Sequence, residues 1–302
     1  MATAETKPHV SEFVNEPFID FSRPENRKRM QEALTKVAGE LGREYPMYIG
    51  GQKVITTEKK TSTNPSHPSQ AIGVFQSASV EQANQAVEAA AKAFETWKRV
   101  PAEQRVQCLF RAAQILRDRK YEMNALIVYE AGKTWPEADA DTAETIDFLE
   151  FYGREMLRLA GPQKVVPMKG EKNYLVYIPL GVGVVIPPWN FPLAIMVGMT
   201  TASLVAGNTV VIKPAEETSL STIYLAQLAQ EVGIPPGVIN VVTGSGEVTG
   251  AALARHPGLA RLYAGQERGA RVPLQFAGLP ALGPEPRRTA VSGSRRLAHS
   301  HV

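Results

Sequence analysis

The chain has 302 residues, 44% of them hydrophobic and 21% charged, with a formal net charge of +3. It is long and apolar enough to bury a sizeable core, which excludes a disordered or fibrous protein. The charge does not suggest a nucleic-acid-binding face on the folded body: six Arg and two Glu from Gly265 onward give that tail +4, and the rest of the chain sums to −1.

One cysteine, Cys108, rules out an internal disulfide and fits a reducing, cytoplasmic setting. The polar N-terminus has no apolar signal-peptide core. Residues 174–199 are apolar, but Pro179, Pro187, Pro188, Asn190 and Pro192 break the run, so no membrane-spanning helix is expected. His9, His67, His256, His299 and His301 show no metal-ligand spacing, and no metal site is expected.

Residues 1–10 read as disordered. Met30, Ala33, Leu34, Val37 and Leu41 recur at helical spacing from Pro24 and stop at Gly42. Tyr48-Ile49 and Val54-Ile55 flank Gly50-Gly51 as a hairpin. A loop is expected at Asn64–Pro68 and a short strand at Ile72–Phe75. Helices follow at Val80–Trp97, Ala102–Arg119, Lys120–Ala131 and Trp135–Leu159, the last stopped by Gly161-Pro162.

From Tyr174 the pattern alternates between strand and helix. Strands are expected at Val182–Ile186, Thr209–Lys213, Val238–Val242 and Ala260–Ala264. Helices are expected at Leu193–Ala206, at Leu220–Gly233 (capped by Thr218 or Ser219) and from Gly244-Ser245-Gly246 to His256. Strands separated by helices of this length predict a parallel sheet, which binds ligands at the C-terminal ends of its strands.

Several residues on that rim could carry chemistry. Asn190 has the look of a buried residue in a rigid turn, where its amide could donate to a developing oxyanion; spacing alone favours a helix cap instead. Lys213 and Glu216 could meet the phosphate and ribose of a nucleotide, although an exposed loop pair explains them as readily. Gly244, Gly246 and Gly250 could let a cofactor approach the backbone near a positive helix start, or could serve only a tight turn. Cys108 sits among Val106, Leu109, Phe110 and Ile115, as a structural thiol would. Asp139, Asp141, Glu144 and Asp147 form a row on one helix and read mostly as a solvated face.

In combination, Ile186-Pro-Pro-Trp-Asn-Phe-Pro, Lys213-Pro-Ala-Glu and Gly244-Ser-Gly resemble the aldehyde dehydrogenase family from about Tyr45 to Ala264. Asn15-Glu-Pro-Phe, Tyr45-Pro-Met-Tyr-Ile-Gly-Gly and the stretch from Glu130-Ala-Gly-Lys to Ile146-Asp-Phe narrow the likeness to its bacterial 1-pyrroline-5-carboxylate dehydrogenase group. The resemblance implies an α/β fold: a Rossmann-like parallel sheet, here an incomplete NAD-binding domain, with N-terminal helices and a β-hairpin. It implies NAD-dependent oxidation of L-glutamate γ-semialdehyde to L-glutamate in proline degradation. Asn190 matches the oxyanion donor. Ile186, Pro188, Trp189, Lys213, Glu216, Gly246 and Gly250 match cofactor-binding positions. Glu144 matches an acidic residue near the substrate's amino end, and Phe191 an aromatic of the aldehyde channel.

The match ends at Leu262-Tyr263-Ala264, where Gly265-Gln266-Glu267-Arg268 stands in place of the family's Phe-Thr-Gly-Ser. The family's base and nucleophile motifs are not found, nor its oligomerisation strands. The expected organisation is an N-terminal extension with a helix over 1–44, a partial NAD-binding domain over 45–264 and a disordered Arg/Pro/Gly-rich tail over 265–302. The expected product is a truncated or frame-disrupted chain, inactive alone and poorly soluble, whose whole family counterpart is a homo-oligomer without membrane or nucleic-acid partners. The competing expectations are a non-catalytic NAD- or partner-binding module and one half of a split enzyme.

Overall fold

The computed structural model describes residues 10–264; the disordered ends expected at 1–10 and 265–302 lie outside that range, except for Val10. Helix α1 (Pro24–Ala38) comes first, with Pro24 at its first position. It is followed by β1 (Arg43–Tyr45), the hairpin β2 (Met47–Ile49) and β3 (Gln52–Val54), and the hairpin β4 (Lys59–Asn64) and β5 (His67–Gln76). The four-helix run is α2 (Val80–Trp97), α3 (Ala102–Asp118), α4 (Lys120–Ala131) and α5 (Trp135–Ala160). The alternating half contains β6 (Val182–Ile186), α6 (Ala194–Val205), β7 (Thr209–Ile212), α7 (Leu220–Glu231) and β8 (Ile239–Val241). A π-turn at Gly246–Gly250, α8 (Ala251–Arg255) and β9 (Leu259–Ala264) complete it.

The expected loop at 64–68 is instead the tip of a hairpin in which Asn64 faces His67, and the short strand after it is ten residues long. Strand β4 has only two buried side chains, Ser62 and Asn64, both polar. Apolar alternation therefore could not reveal it.

The main sheet has the order β3-β2-β8-β7-β6-β9. Strands β6 to β9 are parallel, and β2 joins antiparallel to β8 through Tyr48 opposite Val241. Asn240 fixes that junction: its Oδ1 accepts from Gly50 N at 2.8 Å and its Nδ2 donates to Gly237 O at 2.7 Å. A second sheet, β1-β5-β4, lies outside the first.

Both faces of the main sheet are covered, which explains its valine-rich strands. Val185, Val210, Ile212 and Val241 belong to the larger core with α3 to α7; Val182, Val184, Val211 and Val242 belong to a smaller one with α2 and α8. Adjacent residues divide between the two cores because side chains alternate along a strand. Helix α2 starts with a capping box from Ser79 and Gln82 and buries Ala83, Ala86, Val87 and Ala90. At its end Trp97 Nε1 donates to Leu204 O at 3.1 Å. Chain order and strand order reverse at β6: β7 and β8 extend to one side, while β9 returns to the other. In open α/β sheets ligands bind outside the C-terminal ends of strands at such a reversal.

Candidate functional site

Three turns meet on that edge, following β6, β7 and β8. The first, Pro187–Pro192, carries Asn190. Trp189 is 56% exposed, Asn190 is exposed, Phe191 and Pro188 are less so, and Ile186 is half-buried at the end of β6. Two sequence readings fail here. Asn190 is not buried, and it does not cap α6, whose N-cap position is Leu193. Among the described residues its side chain makes no hydrogen bond, so the amide is available to a ligand.

The cap of α6 comes from a distant carboxylate. Asp141, with 0% of its side chain exposed, accepts from Ala194 N at 2.7 Å and from Lys133 Nζ at 2.9 Å. Burial pushes the Asp141 carboxyl up, against the opposing pull of Lys133 and of the Ala194 and Leu193 backbone. Lys133 also lies 3.8 Å from the centre of the Phe191 ring, so one cation ties the α4–α5 connection to the turn.

Asp141 corrects the reading of the carboxylate row as a solvated face. Asp139 is likewise buried, accepting from Ile19 N at 2.7 Å and Asn124 Nδ2 at 2.9 Å, with Lys120 at 3.4 Å. Asp147 takes Asn15 Nδ2 and Glu16 N, each at 2.7 Å. Only Glu144 remains exposed on that face; burial, then the Asp141 charge, raises its carboxyl above the ordinary value.

The second turn follows β7. Lys213 N continues the ladder to Val185 O at 2.9 Å, and its side chain, 3% exposed, runs inward. Its Nζ donates to Pro214 O at 3.0 Å. An exposed loop lysine is therefore excluded, because burying a cation requires polar or charged company. Glu216 is partly buried. Burial pushes its carboxyl up, but the Lys60 ammonium, Gly246 N–H and Lys213 charge together hold it below the usual range. Lys60, on β4, pairs with Glu216 across 156 positions of sequence. Sequence reading missed both Lys60 and Lys133: the partner of Lys60 is remote in the chain, and that of Lys133, Asp141, is eight residues on but was read as part of a solvated face.

Helix α7, which follows this turn, corrects another expectation. Neither Thr218 nor Ser219 caps it with a side chain. Glu130, buried in α4, receives Leu220 N, Ser221 N and the Ser221 hydroxyl.

The third turn follows β8. Gly244 has φ +149°, and a Cβ there would collide with Thr249 Oγ1, so this glycine serves the fold. Ser245 caps the π-turn, its hydroxyl accepting from Val248 N at 3.1 Å. Gly246 differs: a Cβ would meet nothing within 4 Å, and its N–H points at Glu216 Oε1, 3.4 Å away. A Cβ on Gly250 would lie 3.6 Å from Lys213 Cδ. A buried cation, a carboxylate acceptor and an open glycine backbone thus converge on one edge, a donor set that fits the ribose and adjoining phosphate of a nucleotide.

Cys108 is buried in α3, as its apolar neighbours imply, and Arg111 Nη2 lies 3.4 Å from its sulfur. Among the described residues no helix is long and apolar enough to cross a membrane.

A sequence model of the aldehyde dehydrogenase family matches residues 54–264. The 1-pyrroline-5-carboxylate dehydrogenase of Geobacillus thermodenitrificans is 51% identical over 248 residues, which cover 82% of this chain and 48% of the relative. That of Bacillus cytotoxicus is 49% identical with the same coverage. Among solved structures, a 1-pyrroline-5-carboxylate dehydrogenase from Thermus with bound NAD superimposes with a TM-score of 0.81 at 48% identity, over 84% of this chain and 49% of that one. Proline utilization A from Bdellovibrio bacteriovorus gives a TM-score of 0.82 at 40% identity, over 85% of this chain and 27% of that one. The chain thus spans about half the length of the 1-pyrroline-5-carboxylate dehydrogenases it matches.

Proposed function

Because the chain belongs to the aldehyde dehydrogenase family, we propose that it binds NAD on the C-terminal edge of its parallel sheet. The whole-length activity to which this half contributes would be oxidation of L-glutamate γ-semialdehyde to L-glutamate. The observation that carries the reading is the buried Lys213 beside Glu216 and the open Gly246. Bound NAD would supply the hydride acceptor.

The residues divide the remaining work. Lys213 reaches the adenosine ribose or its neighbouring phosphate, and Glu216 accepts from the ribose hydroxyls. Gly246 and Gly250 leave room for that end of the nucleotide, while Ile186, Pro188 and Trp189 line its path toward the Asn190 turn. Asn190 has an unengaged amide that can donate to an oxyanion. Glu144 is the acidic group for the substrate's amino end, and Phe191 the aromatic wall of the aldehyde channel.

The sequence holds one cysteine, and Cys108 lies buried in α3, away from this edge. A buried thiol is a poor nucleophile. We therefore expect the chain by itself to bind NAD without turning over aldehyde. The family's homo-oligomerisation belongs to the same whole-length reading.

Titration calorimetry with NAD tests the binding. Lys213→Met should weaken it by about tenfold or more, the size of one charge-assisted hydrogen bond. Undetectable binding by the folded parent chain, or equal binding by the variant, would reject the site. NADH production with glutamate γ-semialdehyde would reject the inactivity.

A further inference from the structure

We propose that the pocket filled by Glu16 is a binding site for a free acidic amino acid, and that L-glutamate entering it displaces the N-terminal segment that carries Glu16.

Residues 11–22 run antiparallel to α5 along most of its length. Ser11 O accepts from Arg154 Nε, and Phe13 packs edge-on against Phe151. Glu16 N donates to Asp147, Ile19 N donates to Asp139, and Phe21 packs edge-on against Trp135. Extended chain from Ser11 to Phe21 reaches about 33 Å, and α5 rises about 29 Å from Trp135 to Arg154, so the segment is nearly straight. None of residues 11–22 is fully buried, and Val14 and Phe18 are 79% and 72% exposed. Side chains of α3, α4 and α5 hold the segment, with little core packing, which places its release among the low-energy openings of the fold.

Glu16 is the exception to that loose packing. Its side chain is only 10% exposed, and the residue is held as a glutamate ligand would be. Oε2 accepts from Arg117 Nε at 2.8 Å, and Lys120 Nζ lies 3.8 Å from Oε1. At the other end, the backbone N–H donates to Asp147 Oδ1 at 2.7 Å. One residue thus meets two cations at its γ-carboxylate and a carboxylate at its α-nitrogen. Lys120, 7% exposed, also donates to Pro17 O at 2.7 Å.

A free L-glutamate has the same reach and two advantages. Its α-ammonium carries the charge that a backbone N–H lacks, so its bond to Asp147 is charge-assisted. Its α-carboxylate is available to Lys120 once Pro17 O departs. It also brings one net negative charge, as the Glu16 side chain does, so the balance of the pocket is kept. Aspartate is one methylene short of spanning Arg117 and Asp147, and glutamine lacks the anion. On the whole-length reading above, L-glutamate is the product of the reaction; the site itself does not depend on that reading.

The test is titration calorimetry of the full chain with L-glutamate, together with hydrogen exchange of the Glu16 and Ile19 amides. In the parent, saturable binding should raise exchange at both amides, because the docked segment must leave. Glu16→Ala removes the internal competitor and should tighten L-glutamate about tenfold, the factor expected if the parent pocket is free about one-tenth of the time. Arg117→Gln should abolish the binding. L-Glutamine and glutarate should each bind the parent on the order of tenfold more weakly than L-glutamate, since each lacks one charged anchor. Circular dichroism should show both variants folded. No L-glutamate binding by folded Glu16→Ala overturns the proposal, as does equal binding of L-glutamine. Binding that survives Arg117→Gln and leaves the parent's two amides protected belongs to the Glu144 edge, and overturns it too. NAD titrated into the same proteins reads the nucleotide site separately, so either reading can fail alone.

Discussion

Replacing Asp141 with asparagine isolates the contact on which the Asn190 turn depends. The carboxylate is fully buried, 2.9 Å from Lys133 Nζ, and Lys133 is itself only 12% exposed. Asparagine retains the shape and one oxygen for Ala194 N–H, so the cap of α6 is kept and the charge is lost. With an effective dielectric constant of about 20, unit charges at that spacing attract by roughly 6 kcal/mol, an upper bound before desolvation is subtracted. Leaving the ammonium unpaired over the Phe191 ring should therefore cost about 2–4 kcal/mol of stability. Lys133→Met should cost somewhat less, because the abandoned carboxyl can take up a proton. The double variant should lose clearly less than the sum of the singles, with a coupling of about 2 kcal/mol. Urea melts followed by circular dichroism measure all three, at low and high salt. A buried pair predicts coupling that salt barely changes. Additivity of the two single effects within about 0.5 kcal/mol would refute the reasoning.

The two glycines of the third turn should separate fold from function. Gly244→Ala meets Thr249 Oγ1 at a positive φ and should cost about 2 kcal/mol or more in a thermal or urea melt. Gly246→Ala has open space and should melt within about 0.5 kcal/mol of the parent while weakening NAD in the calorimeter; equal melts for the two would contradict this division. Glu130 should set part of the pH dependence, because burial, opposed by Ser221 and the Leu220 and Ser221 N–H groups, pushes its carboxyl up to about 7. The folded chain then keeps a proton that the unfolded chain releases from about pH 4.5 upward. The stability this supplies is complete below about 4.5 and lost as pH rises through about 7, a total of about 3 kcal/mol. Glu130→Gln should flatten that decline in urea melts between pH 5 and 7.5, and an unchanged slope would exclude Glu130 as its source.

The helices were legible because their apolar spacing is strong and their ends carry local signals. Helix α2 begins after Ser79 with Gln82 in the capping box, and α4 stops at Gly132, which adopts φ +68°. The parallel strands were legible as short valine-rich runs buried on both faces. Strand β4 was not, since Lys-Lys-Thr-Ser-Thr-Asn exposes most of its length and buries only polar side chains. The carboxylates of α5 were misread for a related reason. An acidic stripe on an amphipathic helix ordinarily faces water, and nothing local announces that Asp139 will meet Ile19, or Asp141 Ala194. Lys60 escaped notice for want of a local partner, and Lys133 because Asp141, eight residues on, was itself read as facing water. The candidate nucleotide residues stood out only as a joint motif; taken singly, Lys213 and Glu216 read as a surface pair.

The misread carboxylates explain how the edge is assembled. Helices α6 and α7 follow the turns that hold Asn190 and Glu216, and neither starts with a side-chain cap of its own. Their first N–H groups are satisfied instead by Asp141 and Glu130, which flank the connection between α4 and α5. An uncapped buried helix start is unfavourable, so each turn is held where a distant carboxylate can reach it. Lys133, from that same connection, adds its contact with Phe191. The spacing between the Asn190 turn and the Lys213–Glu216 turn is therefore set from beneath by α4 and α5, as well as by the sheet register. Ligand-facing groups on both turns can then stay exposed or only partly engaged, because the charged contacts that fix the backbone lie one layer below them.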